Sequence, residues 1–210
     1  MRVNLLTRDI SAYHQRRWPD RPIRLASSIW LMTSSPGLQL MLLHRLVHGI
    51  HAKRQADPRS QWLWRALLLP LALPKWAIQA RSKSEMPNDI KIESGVIFAD
   101  QGHIIFGAKK TGAGTVISSC VTIGIGLFDK GYPEIGRNVW IGPNCIVYGA
   151  ISIGDGATLL PGTVLTKSIP AGVVMQGNPA RLVSRNFNNA NLRAGTETEN
   201  LQYLKANWST

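Results

Sequence analysis

The sequence predicts a mainly β protein: a triangular parallel β-helix carried behind an α-helical N-terminal region. Three observations predict it. Ile135, Ile141, Val147, Ile153, Leu159 and Leu165 place an aliphatic residue at every sixth position. Val139, Cys145, Ile151, Ala157, Thr163 and Ile169 stand four residues after each of these, so a second inward column runs in step with the first. Gly136, Gly142 and Gly154 directly follow three members of the first column, where a chain must turn a corner. A step of six matches neither the α-helix nor an ordinary strand. It suits a coil in which each hexad supplies one short flat strand and one turn, with three hexads closing a triangle. Such coils must stack, because no single one buries its own apolar face.

The elements follow in chain order. Residues 1–89 read as the α-helical region, residues 90–185 as the β-helix and residues 186–210 as a polar tail. From Ile10 to about Arg59 the apolar pattern is helical, with a break at Ser34, Ser35, Pro36 and Gly37 that ends one helix and starts another. Leu38, Met41, Leu42, Leu46 and Ile50 then recur at helical steps. His44, His48 and His51 share this helix, but no carboxylate or cysteine joins them, so they read as packing or solvated groups and no metal is expected. A further helical pair covers residues 60–82, and residues 84–88 connect to the first coil. The six-residue step begins with Ile105, Thr111, Ile117 and Ile123, with Val121 in the second column. Residues 124–133 break the phase before Ile135 restarts it. A glycine-rich loop thrown out of a strict repeat reads as a segment directed at substrate, against the plainer reading of a tolerated surface insertion. Asn186, Asn188, Asn189 and Asn191 open a tail expected to be loose.

Charge divides the chain as the repeat does. The net charge of +12 arises from 24 Lys and Arg against 12 Asp and Glu. Residues 1–89 hold fourteen of the basic and five of the acidic groups, so most of the surplus is N-terminal. Anionic partners suit such a surface. Nucleic acid is set aside, because no zinc-finger spacing, aromatic RNA-binding motif or glycine-lysine phosphate loop is present. Two cysteines, both inside the repeat, make no disulfide framework and favour a reducing compartment. The arginine-rich opening has no apolar core or cleavage site of a secretion signal, which points to the cytoplasm. Trp62, Trp64 and Trp76 flank an uncharged run too short to span a bilayer, with Arg65, Lys75 and Arg81 close by. That arrangement suits peripheral contact of residues 60–82 with the inner face of a membrane, and equally a helix buried between subunits.

Helices, hexapeptide coils and the closing Gly177-Asn178-Pro179-Ala180-Arg181 together resemble the serine acetyltransferase family of hexapeptide-repeat acyltransferases. Supporting residues are Cys120-Val121-Thr122-Ile123-Gly124 before the loop, Tyr132-Pro133-Glu134-Ile135 after it, and Pro36-Gly37 with Leu43-His44-Arg45-Leu46 in the helical part. The resemblance implies that the coils wind left-handed and that the protein is a homotrimer or a dimer of trimers. It implies acetyl-CoA as co-substrate, with acetyl moved to a hydroxyl. It places CoA along the coils near Gly142, Pro143 and Pro161, with Lys167, Arg181 and Arg185 as candidates for its phosphates.

Acyl transfer needs a base for the acceptor hydroxyl and donors for the developing oxyanion. The family uses two histidines, and this chain departs at both places. The first holds Asp100 or Gln101, and the second holds Tyr132. His103 is the one histidine of the repeat and the candidate base, with Asp100 to orient its ring. Tyr132 suits hydrogen-bond donation better than proton abstraction at pH 7. The acceptor is L-serine or a sugar hydroxyl in surface polysaccharide synthesis. The alternative from another class is a trimeric scaffold or regulatory protein that has lost turnover.

Overall fold

The structure is a computed structural model and describes residues 2–56, 61–87, 89–126 and 130–195. Four helices come first: α1 (Arg2–Arg17), α2 (Leu25–Ser34), α3 (Pro36–Ala56) and α4 (Gln61–Ser82). The helical reading of residues 10–59 therefore holds two breaks, the unforeseen one falling where Pro19 and Pro22 deny the chain backbone donors. Residues 57–60 lie outside the described set. The pair expected over residues 60–82 is one helix, which runs through Pro70 and Pro74.

Among the described residues fourteen short strands follow. They are β1 (Lys91–Ile92), β2 (Ile97–Phe98), β3 (Ile105–Phe106), β4 (Lys110–Thr111), β5 (Val116–Ile117), β6 (Thr122–Gly124), β7 (Glu134–Ile135), β8 (Trp140–Ile141), β9 (Ile146–Tyr148), β10 (Ser152–Ile153), β11 (Thr158–Leu159), β12 (Val164–Leu165), β13 (Val174–Gln176) and β14 (Arg181–Ser184). They form three sheets ordered β1-β4-β7-β10, β14-β13-β11-β8-β5-β2 and β12-β9-β6-β3. Each sheet takes every third strand, which is the wall order of a triangular prism. All pairs are parallel except β13 with β14.

Inside, the columns run as the step of six predicts. Thr111 is level with Ile92 and Ile135, Ile117 with Phe98 and Ile141, and Val147 with Ile123 and Leu165. Val139, Cys145, Ala157 and Thr163 are fully buried as the second column. One expected member is displaced. Phe106, not Ile105, pairs inward with Ile123, because the corner after β2 is longer and the one after β3 shorter than the repeat demands.

The three outer faces differ. The β1-β4-β7-β10 wall presents Lys91, Lys110, Glu134 and Ser152, laced by the Lys109–Glu134 and Arg137–Glu93 pairs. The β2 wall presents Ile97, Val116, Trp140 and Val174, all buried beneath Tyr13 of α1, Leu31 of α2, Leu38 of α3 and Leu192 of α5 (Ala190–Ala194). The tail expected to be loose is thus a strap over residues 186–195. Phe187 N donates to Gly172 O, and the Asn189 amide donates to the carbonyls of Asn138, Gly156 and Ala157. The third wall presents Ile105, Thr122, Ile146 and Val164, and here Ile105 and Ile146 stay 37% and 40% exposed. Asp9, fully buried, joins Arg45 of α3 to Gly95 of the first coil and so fixes the helices on the prism.

Candidate active site

Three edges separate the walls, and the site is best built edge by edge. Along the edge that follows β2, β5, β8 and β11, the corners stack with Gly102, Cys120, Asn144 and Gly162 at φ of 87°, 57°, 58° and 75°. Asn144 N donates to Ser119 O and Gly162 N to Pro143 O, so each corner is tied to its neighbour. Gly142 is required here by close approach. A Cβ on it would stand 2.7 Å from Leu159 O and 3.0 Å from Pro161 N. This edge carries Asp100, His103, Gly142, Pro143 and Pro161. Ala180 N donates to Val164 O, which brings Arg181 to the same edge at the top of the prism.

The other candidates stand elsewhere in one copy of the chain. Tyr132 and Lys167 lie on the edge that follows β3, β6, β9 and β12, where the loop of residues 124–133 leaves the coil. Residues 127–129 of that loop lie outside the described set. The Tyr132 ring covers Gly107, whose Cβ would come within 3.0 Å of Cε1, and the residue remains 44% exposed. Arg185 follows β14, which runs antiparallel back to the third edge near Gly172. His103 and Tyr132 are thus set at opposite ends of β3, roughly 13 Å apart at about 3.3 Å per residue.

Asp100 has a partner that the sequence did not suggest. Its Oδ1 accepts from Ser35 Oγ and, at 3.1 Å, from Gly37 N. Ser35 is the N-cap of α3, accepting from Leu38 N at 3.2 Å with Pro36 at the first helical position. The carboxylate therefore sits at the positive end of α3. No hydrogen bond joins Asp100 to His103 among the described residues, so the expected ring-orienting role is not what the geometry provides. His103 is exposed in its corner beside Ile105.

A cavity of about 430 Å³ opens on the other side of Asp100, walled by α1, α2 and the corner after β2. Sequence reasoning passes over its residues Tyr13, Arg17 and Trp30, since α1 and α2 reach the coil only through packing. Tyr13 is locked there, its hydroxyl donating to Phe98 O and accepting from Phe98 N at 2.8 Å. Burial pushes this phenol far above its ordinary value, which removes it as a base. Among the described residues no group of three His, Cys, Asp or Glu is placed to hold a metal.

With that geometry in view, the chain matches the bacterial transferase hexapeptide (six repeats) family over residues 132–167. That stretch of the chain carries the transferase hexapeptide repeat. The chain's likeness to serine acetyltransferases extends over helices and coils together. It is 32% identical over 145 residues to the serine acetyltransferase of Buchnera aphidicola subsp. Acyrthosiphon pisum, covering 65% of this chain and 52% of that protein. It is 32% identical over 149 residues to serine acetyltransferase 2 of Arabidopsis thaliana, covering 68% of this chain and 44% of that one. The chain thus spans about half the length of the curated relatives it matches. A solved serine acetyltransferase in complex with CoA superposes with a TM-score of 0.66 at 21% identity, over 87% of this chain and 69% of that one. The hexapeptide-repeat transferase fold, a left-handed parallel β-helix preceded by helices, is therefore the fold of this chain.

Proposed function

We propose that this chain is the subunit of an acetyl-CoA-dependent O-acetyltransferase whose sites form between three copies. The observation that carries the reading is the single unfilled apolar wall. Of the three outer faces, one is charged and one is covered by the chain's own helices. Among the described residues only the wall of Ile105, Thr122, Ile146 and Val164 is apolar and open. Cyclic closure on that wall turns it toward a three-fold axis. The two edges that bound it then meet those of the neighbouring copies. His103, Gly142, Pro143, Pro161 and Arg181 of one copy come to face Tyr132 and Lys167 of the next, so two scattered sets become one cleft. Arg185, on the third edge, is left outside.

Acetyl-CoA fits this cleft as co-substrate. The backbone of the edge fixed by Gly142 and Pro161 offers amides to the pantetheine arm, while Arg181 and the neighbour's Lys167 suit its phosphates. His103 takes the proton of the acceptor hydroxyl as the oxygen bonds to the acetyl carbon. The carbon–sulfur bond breaks with its electron pair going to sulfur, and the proton passes to that departing thiolate to give the thiol of CoA. Tyr132 donates to the oxyanion between these events. Kinship with serine acetyltransferases supports L-serine as acceptor, and the changes at both histidine positions support a sugar hydroxyl.

The helical region adds a peripheral role. Trp62, Leu73 and Trp76 of α4 are exposed and fall on one side of the helix. No helix among the described residues is long and apolar enough to cross a membrane. An apolar helix face on a basic region suits attachment to the inner, anionic face of a membrane, or pairing of two trimers.

The test is release of free CoA thiol from acetyl-CoA with a panel of hydroxyl acceptors. His103→Ala and Tyr132→Phe are each expected to lose most turnover, and a mixture refolded together to regain part of it. Recovery on mixing marks sites shared between copies. Binding of acetyl-CoA without thiol release from any acceptor would move the assignment to the trimeric scaffold.

A further inference from the structure

We infer that the cavity between α1, α2 and the Asp100 corner is the acceptor pocket, and that it is shaped for an anionic sugar ring. The inference rests on the acetyl-transfer reading above and narrows its substrate class.

Position comes first. Asp100 and Gln101 line the cavity and belong to the same corner as His103, so the cavity wall and the catalytic edge share one turn of chain. A ring seated in the cavity can send a hydroxyl past that corner toward His103. Size comes next. A space of about 430 Å³ falls in the range of roughly 300–1,000 Å³ that houses ligands larger than an amino acid.

The lining then selects the chemistry. Trp30 contributes an indole that is half-exposed to the cavity and braced by Trp18, the ring centroids being 5.3 Å apart. An aromatic face matches the C–H face of a pyranose and has no counterpart on serine. Around it stand the hydroxyl of Ser34, the amide of Gln101 and the carboxylate of Asp100, which can hold ring hydroxyls. Only Oδ1 of Asp100 carries the hydrogen bonds to Ser35 and Gly37. Arg16 and Arg17 line the cavity as well. Arg16 is steadied by donation to Arg193 O at 2.7 Å, while exposed Arg17 forms no ion pair among the described residues. A carboxylate or phosphate on the sugar pairs with the Arg17 guanidinium.

Saturation-transfer NMR on the full chain reads binding without needing turnover. The probes are glucuronate, glucose 1-phosphate, glucose and L-serine, each with parent, Trp30→Ala and Arg17→Gln proteins. The expected result is transfer to the ring protons of one or both anionic sugars, weakened at least about tenfold in Trp30→Ala. Arg17→Gln should retain sugar binding but lose the preference over glucose. Which anionic sugar responds separates a carboxylate from a phosphate ligand. Circular dichroism melts confirm that each variant is folded. Serine binding with no sugar signal, or sugar signals unchanged in Trp30→Ala, would overturn the inference while leaving acetyl transfer intact. Sugar binding with no thiol release from acetyl-CoA would do the reverse.

Discussion

Asp100 and Ser35, separated by 65 positions in sequence, are hydrogen-bonded side chain to side chain where the first coil meets α3. The contact puts a carboxylate on the amino end of that helix, so the first coil and the helical region are fixed to one another at the candidate site. It also removes one oxygen of Asp100 from any role toward His103.

Asp100→Ala leaves Gly37 N without its acceptor and α3 without its anion. A loss of about 1–2 kcal/mol is expected in denaturant unfolding. Asp100→Asn keeps an acceptor oxygen and should recover most of it. Equal losses in the two variants would show that the negative charge, and not the hydrogen bonds, holds the helix.

Ile146 lies at the middle of the open apolar wall. In the proposed trimer Ile146→Asp sets a charge on each copy against the others at the three-fold axis, and sedimentation should then show monomers in place of trimers. The prism core is untouched, because Val147 and not Ile146 faces it. A parent protein that is itself monomeric at micromolar concentration would discard the shared cleft.

Thr111 is fully buried in the column between Ile92 and Ile135, and among the described residues its hydroxyl has no hydrogen-bond partner. The nearly isosteric Thr111→Val removes a polar group that gains nothing inside. Stability should rise by about 1–2 kcal/mol, read as a higher melting temperature.

Glu93 accepts from Arg137 Nε at 3.1 Å and from Ala113 N at 3.1 Å. The Arg137 guanidinium, chiefly, holds its carboxyl below the ordinary value of 4.5. A lowered folded value means that the stabilisation is whole above pH 4.5 and fades as the pH falls through the lowered one. Solvent screening keeps it below about 1 kcal/mol. Melting curves of the parent and Glu93→Gln should differ by a constant amount at neutral pH and converge in acid. A gap that persists in acid would assign the effect to packing.

The period of six, the two inward columns and the left-over loop were legible from the sequence because each is a local regularity, written within one coil and repeated in the next. The same arithmetic misplaced Ile105, since corners of unequal length on either side of β3 move the inward position to Phe106. Nothing local could show that α1, α2 and the strap of residues 186–195 cover one wall and leave another bare. That depends on which apolar surfaces meet once the chain closes. The allocation of His103 to one edge and Tyr132 to another was likewise decided by the winding of the coil. Residues a few positions apart around a triangle face different neighbours, and those far apart along it, such as His103 and Pro161, come to share an edge. The sequence by itself determined a prism. Only the tertiary structure decided which of its walls stays bare, and which corner Asp100 gives to a helix.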